Sequence, residues 1–323
     1  MIEDIKKMKK IELHIHLDGS VEPSTIAEMS GKSYDEVYPL LVAPDKCENL
    51  SEYLTKFDLP CSFMQTKEDL TKIANDIVKY FESQNVIYAE VRFAPSWHVK
   101  EGLSKGEVIE TLYNGLNCSD KVKTNLIVCL HRNVSMEDNW DTLEVVKNYI
   151  GKEVCAVDLA GAEDMYPIQE FLTLFDKCNE LGIPYTIHAG ENGPYSEVLK
   201  AVNIGSRRIG HGIHSIDDED TIKLLKDTDT LLEVCPTSNV QTNSIDIYEN
   251  HPIKKLYDLG VSVCINTDNK TISRVTLNDE YEKLVNTFGF TKDDFIRMNL
   301  NSINHAFLSN VEKMELINKL KQV

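Results

Sequence analysis

Short apolar runs alternate along this chain with longer segments whose apolar positions recur every three to four residues. The short runs cover residues 11–18, 86–94, 124–132, 154–161, 184–191, 208–214, 231–239 and 261–268. Each is nearly continuous in its apolar first part and turns polar at its C-terminal end. Continuous apolar runs suit strands buried on both faces, as in parallel sheets covered by helices. The longer segments carry helical periodicity. In residues 67–83, Leu70, Ile73, Ala74, Ile77, Val78 and Phe81 fall on one face. Residues 171–181 and 221–225 behave similarly, and Ser215 followed by Asp217, Asp218 and Glu219 reads as a cap and an acidic first helical turn. Eight strands with intervening helices predict an α/β fold, a closed parallel (β/α)8 TIM-type barrel. An open doubly wound sheet is the structural alternative. The stretch 19–85 is longer than one crossover needs and predicts extra helices over the barrel mouth. Helical patterns at 277–288 and 311–320 complete the outer layer.

Composition narrows this picture. At 323 residues and 42% apolar, the chain can build such a barrel as one domain spanning residues 1–323. No run approaches the roughly 20 apolar residues of a membrane helix. The charged start from Met1 to Lys10 has no apolar region behind it, so neither a signal peptide nor a membrane partner is expected. A formal charge of −18, spread along the chain, argues against nucleic acid as a partner. The eight cysteines form no Cys-x-x-Cys pair, and several lie in apolar runs. Reduced, buried thiols in a cytoplasmic protein are expected.

Catalytic side chains in such barrels sit at the C-terminal strand ends. The first run ends Leu13-His14-Ile15-His16-Leu17-Asp18-Gly19. Alternate strand residues share a face, so His14, His16 and Asp18 point together. Two imidazoles at that spacing suit a borderline-soft cation, although His-x-His alone also marks ordinary polar strands. The fifth run ends His188-Ala189-Gly190-Glu191, where a core histidine and a helix-start acid are the bland alternatives. Gly210-His211-Gly212 leaves His211 prominent between glycines. The eighth run ends Asn266-Thr267-Asp268-Asn269, and barrel closure makes it a neighbour of the first. Each motif is modest, but together they gather histidines and an aspartate at one mouth. His98, His131, His214, His251 and His305 have no convergent partner in the sequence and read as structural or surface residues.

These motifs resemble those of the adenosine deaminases, within the amidohydrolase group. The resemblance covers Ile11-Glu12-Leu13-His14-Ile15-His16-Leu17-Asp18-Gly19-Ser20, His188-Ala189-Gly190-Glu191, Gly210-His211-Gly212 and Asn266-Thr267-Asp268. It extends to Glu90-Val91-Arg92-Phe93-Ala94-Pro95 and Asp158-Leu159-Ala160-Gly161, in order along nearly the whole chain. It implies one zinc ion per chain, held by His14, His16, His188 and Asp268. It implies Glu191 as proton donor to purine N1, with His211 and Asp268 assisting the attacking water. Gly161 would meet purine N3 through its backbone, and Asp18, with His16 nearby, would hold the ribose 5′-hydroxyl. Tyr53-Leu54-Thr55-Lys56-Phe57 resembles a helix that walls the substrate, ordinary helix packing being the alternative. Residues 154–161 lack the lysine that bridges two metals in related binuclear enzymes, which implies a single metal. The departure is Asn269, where many members carry a second aspartate facing purine N7. A neutral amide can donate to that acceptor without first being protonated. Purine binding is therefore expected to survive, with altered pH dependence.

The implied reaction converts adenosine to inosine, and 2′-deoxyadenosine to its inosine counterpart, with release of ammonia in purine salvage. Sister deaminases acting on adenine, AMP or N6-methylated nucleotides are the nearest alternatives. Asp18 favours a nucleoside, because the adenine-acting group resembles a His-x-His strand ending in Glu. A nucleotide needs a cationic phosphate pocket, for which Lys270 and Arg274 are the loop residues at hand. A barrel that binds zinc or nucleoside without catalysis is a third reading, and Glu191 and His211 weigh against it. The paired cysteines of the cytidine-deaminase type of zinc site are absent.

Overall fold

The computed structural model describes residues 2–321. Eight parallel strands follow one another in sequence order: β1 (Lys10–His16), β2 (Val86–Phe93), β3 (Lys123–His131), β4 (Val154–Ala160), β5 (Tyr185–Ala189), β6 (Arg208–His211), β7 (Leu231–Val234) and β8 (Val263–Ile265). The gap between β8 and β1 is closed by a parallel bridge between Ile15 and Asp268. There the N–H of His16 donates to the Asp268 carbonyl at 2.7 Å, and the N–H of Asp268 donates to the His14 carbonyl at 3.0 Å. The barrel is the expected one, and the open-sheet alternative ends at that bridge.

The expected strands run too far at their C-terminal ends. β7 stops at Val234 because Pro236 opens the short helix Pro236–Gln241, at a position where its missing N–H is no loss. β8 has three residues, and Asn266 beyond it accepts the N–H groups of Leu13 and His14 on its side-chain Oδ1. A side chain thus replaces strand carbonyls along part of the seam. The expected cap at Ser215 moves to Asp218, whose carboxylate accepts the Thr221 N–H at 2.8 Å and starts the helix Glu219–Asp227.

Residues 19–85 supply the expected extra helices, among them Leu50–Leu54 and Asp58–Phe63, ahead of the barrel helix Lys67–Ser83. In the last of these, Leu70, Ile73, Ala74, Ile77, Val78 and Phe81 are buried as their periodicity predicts. The apolar core lies between strands and helices, whereas the barrel interior is ionic. Alternate residues of the strands point inward, and this places Glu12, Glu90, Arg92, Asp158, Arg208 and Glu233 out of solvent. Arg208 donates from Nε to Glu233 Oε1 at 2.6 Å and from Nη1 to Glu90 Oε2. Tyr88 adds its hydroxyl to Glu90 Oε1 at 2.7 Å. Charges so deep persist only when paired, because each pays for its lost hydration through its partners.

Glu12 is the member without a cation. Its Oε1 accepts the backbone N–H and the hydroxyl of Thr267 at 2.7 and 3.0 Å, while Oε2 is buried without a partner. Burial pushes its carboxyl up to about 8. A raised value in the folded state means that the stabilisation is complete below the ordinary carboxylate value. It is then lost as pH rises through about 8. Glu12→Gln mimics the neutral acid. Urea midpoints at pH 5.5 and 9 should therefore show the wild type losing on the order of 3 kcal/mol relative to this variant. Parallel pH dependence of the two proteins would refute a neutral Glu12.

Candidate active site

Four ligand-type atoms converge at the closure seam. His14, His16, His188 and Asp268 each offer one such atom, and these lie within 4.8 Å of one another. Asp268 Oδ1 is 3.3 Å from His14 Nε2 and 3.4 Å from His16 Nε2, and His16 Nε2 is 3.3 Å from His188 Nε2. Bonds of about 2.0–2.1 Å to one tetrahedral cation put ligand atoms about 3.3–3.4 Å apart. His14 Nε2 is buried and has no hydrogen-bond partner. The donor set therefore fits one small divalent cation.

The groups behind these atoms fix their lone pairs. His14 Nδ1 is 2.9 Å from Glu233 Oε2, and His188 Nδ1 is 3.0 Å from Asp158 Oδ2. An ionised carboxylate only accepts, so each ring carries its proton on Nδ1 and turns a lone pair on Nε2 inward. Both carboxylates are ionised. Burial pushes them up, but Arg208 and Arg92 beside Glu233, and His188 and Arg92 beside Asp158, hold them below the usual carboxylate range. Arg92 joins the two, donating to Asp158 Oδ2 at 2.9 Å and to Glu233 Oε2 at 2.7 Å. Ser238 donates to Asp268 Oδ2 at 2.7 Å and leaves Oδ1 free.

The inward atoms open on a cavity of about 410 Å³, walled by Tyr53, Leu54, Phe57 and Cys61 from the helices over the mouth. His16, Asp18, Gly161, His188, Glu191, His211, Asp268 and Asn269 all line it, so the mouth gathers every expected site residue except His14, which lies wholly buried behind. The wall expected from Tyr53 to Phe57 is present. Gly161 adopts φ +100°, and a Cβ there would meet Asn133 and His131. Gly19 leaves room for Asn269, whose Oδ1 would sit 1.9 Å from a Cβ at that position. His211 and Asp268 have φ values of 61° and 60°, a left-handed backbone that non-glycine residues adopt at a cost.

Glu191 faces His211, with Oε2 3.6 Å from Nε2. Burial first, then the nearby carboxylates of Asp268 and Glu163, push its carboxyl well above the ordinary value. Its loop is held by Glu163, which accepts the N–H groups of Gly190, Glu191 and Gly193 at 2.6, 3.0 and 3.1 Å. The sequence left three histidines unassigned that the structure brings into or behind the site. His131 lines the cavity, His98 Nε2 lies 3.6 Å from Asp18 Oδ2, and His251 reaches His211 through Asn239. Lys270 and Arg274 are instead paired with Glu22 and Asp45 and do not line the cavity, where Lys100 is the one lysine.

The family model described as Adenosine deaminase matches residues 9–323. The chain is 37% identical to an adenosine deaminase of Shewanella woodyi over 322 residues, 96% of this chain and 97% of that protein. It is 38% identical to one of Clostridium botulinum (strain Langeland) over 332 residues, 99% of each. Among solved structures, an adenine deaminase from Arthrobacter aurescens, 26% identical, aligns with a TM-score of 0.88 over 98% of both chains.

Ser238→Ala removes the hydroxyl that orients Asp268 while leaving all four candidate ligand residues in place. It should weaken retention of a divalent cation by about 10–100-fold, read by competition with a graded chelator. Unchanged retention would show that Ser238 does not steer the carboxylate.

Proposed function

The chain belongs to the adenosine deaminase family and hydrolyses adenosine to inosine and ammonia; we propose that it does so with one zinc ion held by His14, His16, His188 and Asp268. The carrying observation is the convergence of those four ligand atoms on the cavity that also holds Glu191 and His211. Three imidazoles and a carboxylate suit zinc among common cations. Zinc held there would supply a Lewis acid that lowers the pKa of a bound water from about 15.7 towards about 7.

The chain's own groups do the rest. Asp268 and His211 aim the attacking water at purine C6. Glu191, kept protonated by its buried setting, gives its proton to purine N1 and so weakens the ring's resistance to attack. Gly161 meets purine N3 through its backbone, and its positive φ keeps a side chain out of that space. Asp18 and His16 take the ribose 5′-hydroxyl, and Asn269 offers an amide N–H to N7. Tyr53, Leu54, Phe57 and Cys61 exclude water from the purine. The attacking water's proton passes by way of Asp268 to the amino nitrogen, the C6–N bond breaks and ammonia leaves, and the remaining C6 hydroxyl proton returns to Glu191 as the carbonyl forms.

A nucleoside suits the cavity better than a nucleotide. One lysine lines it against the carboxyl groups of Asp18 and Asp58, a poor setting for a phosphate dianion. 2′-Deoxyadenosine is proposed as a second substrate. The eight cysteines are all free, which supports a reducing compartment, and we place the protein in the cytoplasm.

Ammonia release from purified, metal-assayed protein should be roughly 100-fold or more faster with adenosine than with adenine or AMP. Equal or faster release from adenine or AMP would reassign the substrate. Glu191→Gln should retain its zinc and lower kcat by about 10²–10⁴-fold. Because the working form of Glu191 is the acid, kcat should hold across neutral pH and fall as pH rises through its elevated pKa. Near-normal turnover in the Gln variant would remove Glu191 from this role.

A further inference from the structure

His211 is held from behind by two residues that do not line the cavity. Asn239, on the helix Pro236–Gln241, places Nδ2 2.9 Å from His211 Nδ1. Its Oδ1 lies 3.2 Å from His251 Nε2. The backbone N–H of Ile253 donates to His251 Nδ1 at 3.1 Å. His211, Asn239 and His251 are all buried, so bulk water offers no substitute partners along this line.

The protons of this relay have one consistent arrangement. A backbone N–H can only donate, so His251 Nδ1 is an acceptor. Burial pushes the His251 imidazole down to about 3, which keeps it neutral with a single ring proton. That proton sits on Nε2 and goes to Asn239 Oδ1. The amide is thereby oriented with its N–H towards His211 Nδ1, which must accept. The ring proton of His211 is then on Nε2, the nitrogen that faces Glu191 across the cavity. The opposite direction fails at His251. An amide N–H on Nε2 and the Ile253 N–H on Nδ1 would both point at a ring that must itself carry a proton.

We propose that Ile253, His251 and Asn239 lock His211 as a hydrogen-bond donor towards the attacking oxygen, so that it steadies the charge developing there and does not take its proton. This rests on the reading that His211 meets the attacking water. Asn239 and His251 are positioning residues, acting only through the ring they orient. A wrong histidine tautomer in an otherwise intact site can remove most of the rate.

The test is a long-range 1H–15N correlation spectrum of the zinc-loaded, 15N-labelled protein, with His211 assigned by its loss in His211→Gln. His211 should show a bare Nδ1 and a protonated Nε2. Asn239→Asp presents a carboxylate that accepts from both neighbours. It should move the His211 proton to Nδ1, keep one zinc per chain and lower kcat by about 10²–10⁴-fold, with KM changed by no more than about threefold. His251→Gln, whose amide N–H still reaches Oδ1, should keep the wild-type tautomer, whereas His251→Leu should give a mixture. A protonated Nδ1 in the wild type overturns the proposal. So does Asn239→Asp with its proton on Nδ1 and an unaltered kcat, or with its zinc lost alongside the rate. If Asn239→Asp does not fold, the two His251 variants decide through the spectrum alone, and identical tautomers in both overturn the relay. Absence of ammonia release from adenosine by the wild type would instead sink the proposed activity while leaving the tautomer signal in place.

Discussion

One buried guanidinium conditions the whole site. Arg92 sits in the barrel interior with Asp158 on one side and Glu233 on the other. Two carboxylates in so dry a place would each favour the protonated form if left alone. Ionised, they accept the Nδ1 protons of His188 and His14. Were they neutral, the preference between the two ring nitrogens would weaken, and the inward lone pairs with it. The ionic interior therefore conditions the mouth, although none of Arg92, Asp158 and Glu233 lines the cavity. The packing of that interior adds Arg208 and Glu90, so Glu233 is held from both sides by guanidinium groups.

Two of the six non-glycine residues with left-handed backbone among the described residues belong to the same mouth. Asp268 and His211 both adopt left-handed backbone, and each is pinned by what surrounds it. Asp268 is caught between the His14 carbonyl and the His16 N–H on the β1 seam. His211 is followed by Gly212, whose N–H donates to the Ala189 carbonyl at 3.1 Å. Backbone conformations that cost free energy persist where the neighbouring structure over-determines them. Here the neighbours are the adjoining strands, so the barrel itself supplies the constraint.

Much of this architecture was legible in the residues. Near-continuous apolar runs separated by helical periods led to eight strands, and period-two spacing placed His14, His16 and Asp18 on one face. Strand ends were less legible, because Pro236 ends β7 by opening a helix and Asn266 replaces strand carbonyls after β8 with its side chain, neither of which an apolar pattern encodes. The ionic barrel interior was also hidden. Glu90, Arg92, Asp158, Arg208 and Glu233 lie on different strands, and only closure reveals that their charges compensate. His251 is the sharpest case. It lies 40 residues beyond His211 in the chain, and nothing links the two until the helix carrying Asn239 is set between them. Ser238 on that same helix could have been suspected, since it falls at the polar C-terminal end of the run 231–239 in a barrel whose strand ends carry the chemistry.

The bridge between Ile15 and Asp268 has a consequence for assembly. The ligand set draws on the first, fifth and eighth strands, and about 250 residues of chain separate His14 from Asp268. A cation held by both would act as a reversible cross-link over nearly the full length of the molecule. Closing a loop of that size in an unfolded chain is worth about 5 kcal/mol in chain entropy. Ion binding and docking of the last strand would thus be coupled: without the residues that follow β8, the three histidines lack the Asp268 carboxylate on their inward side, and β1 is a free edge.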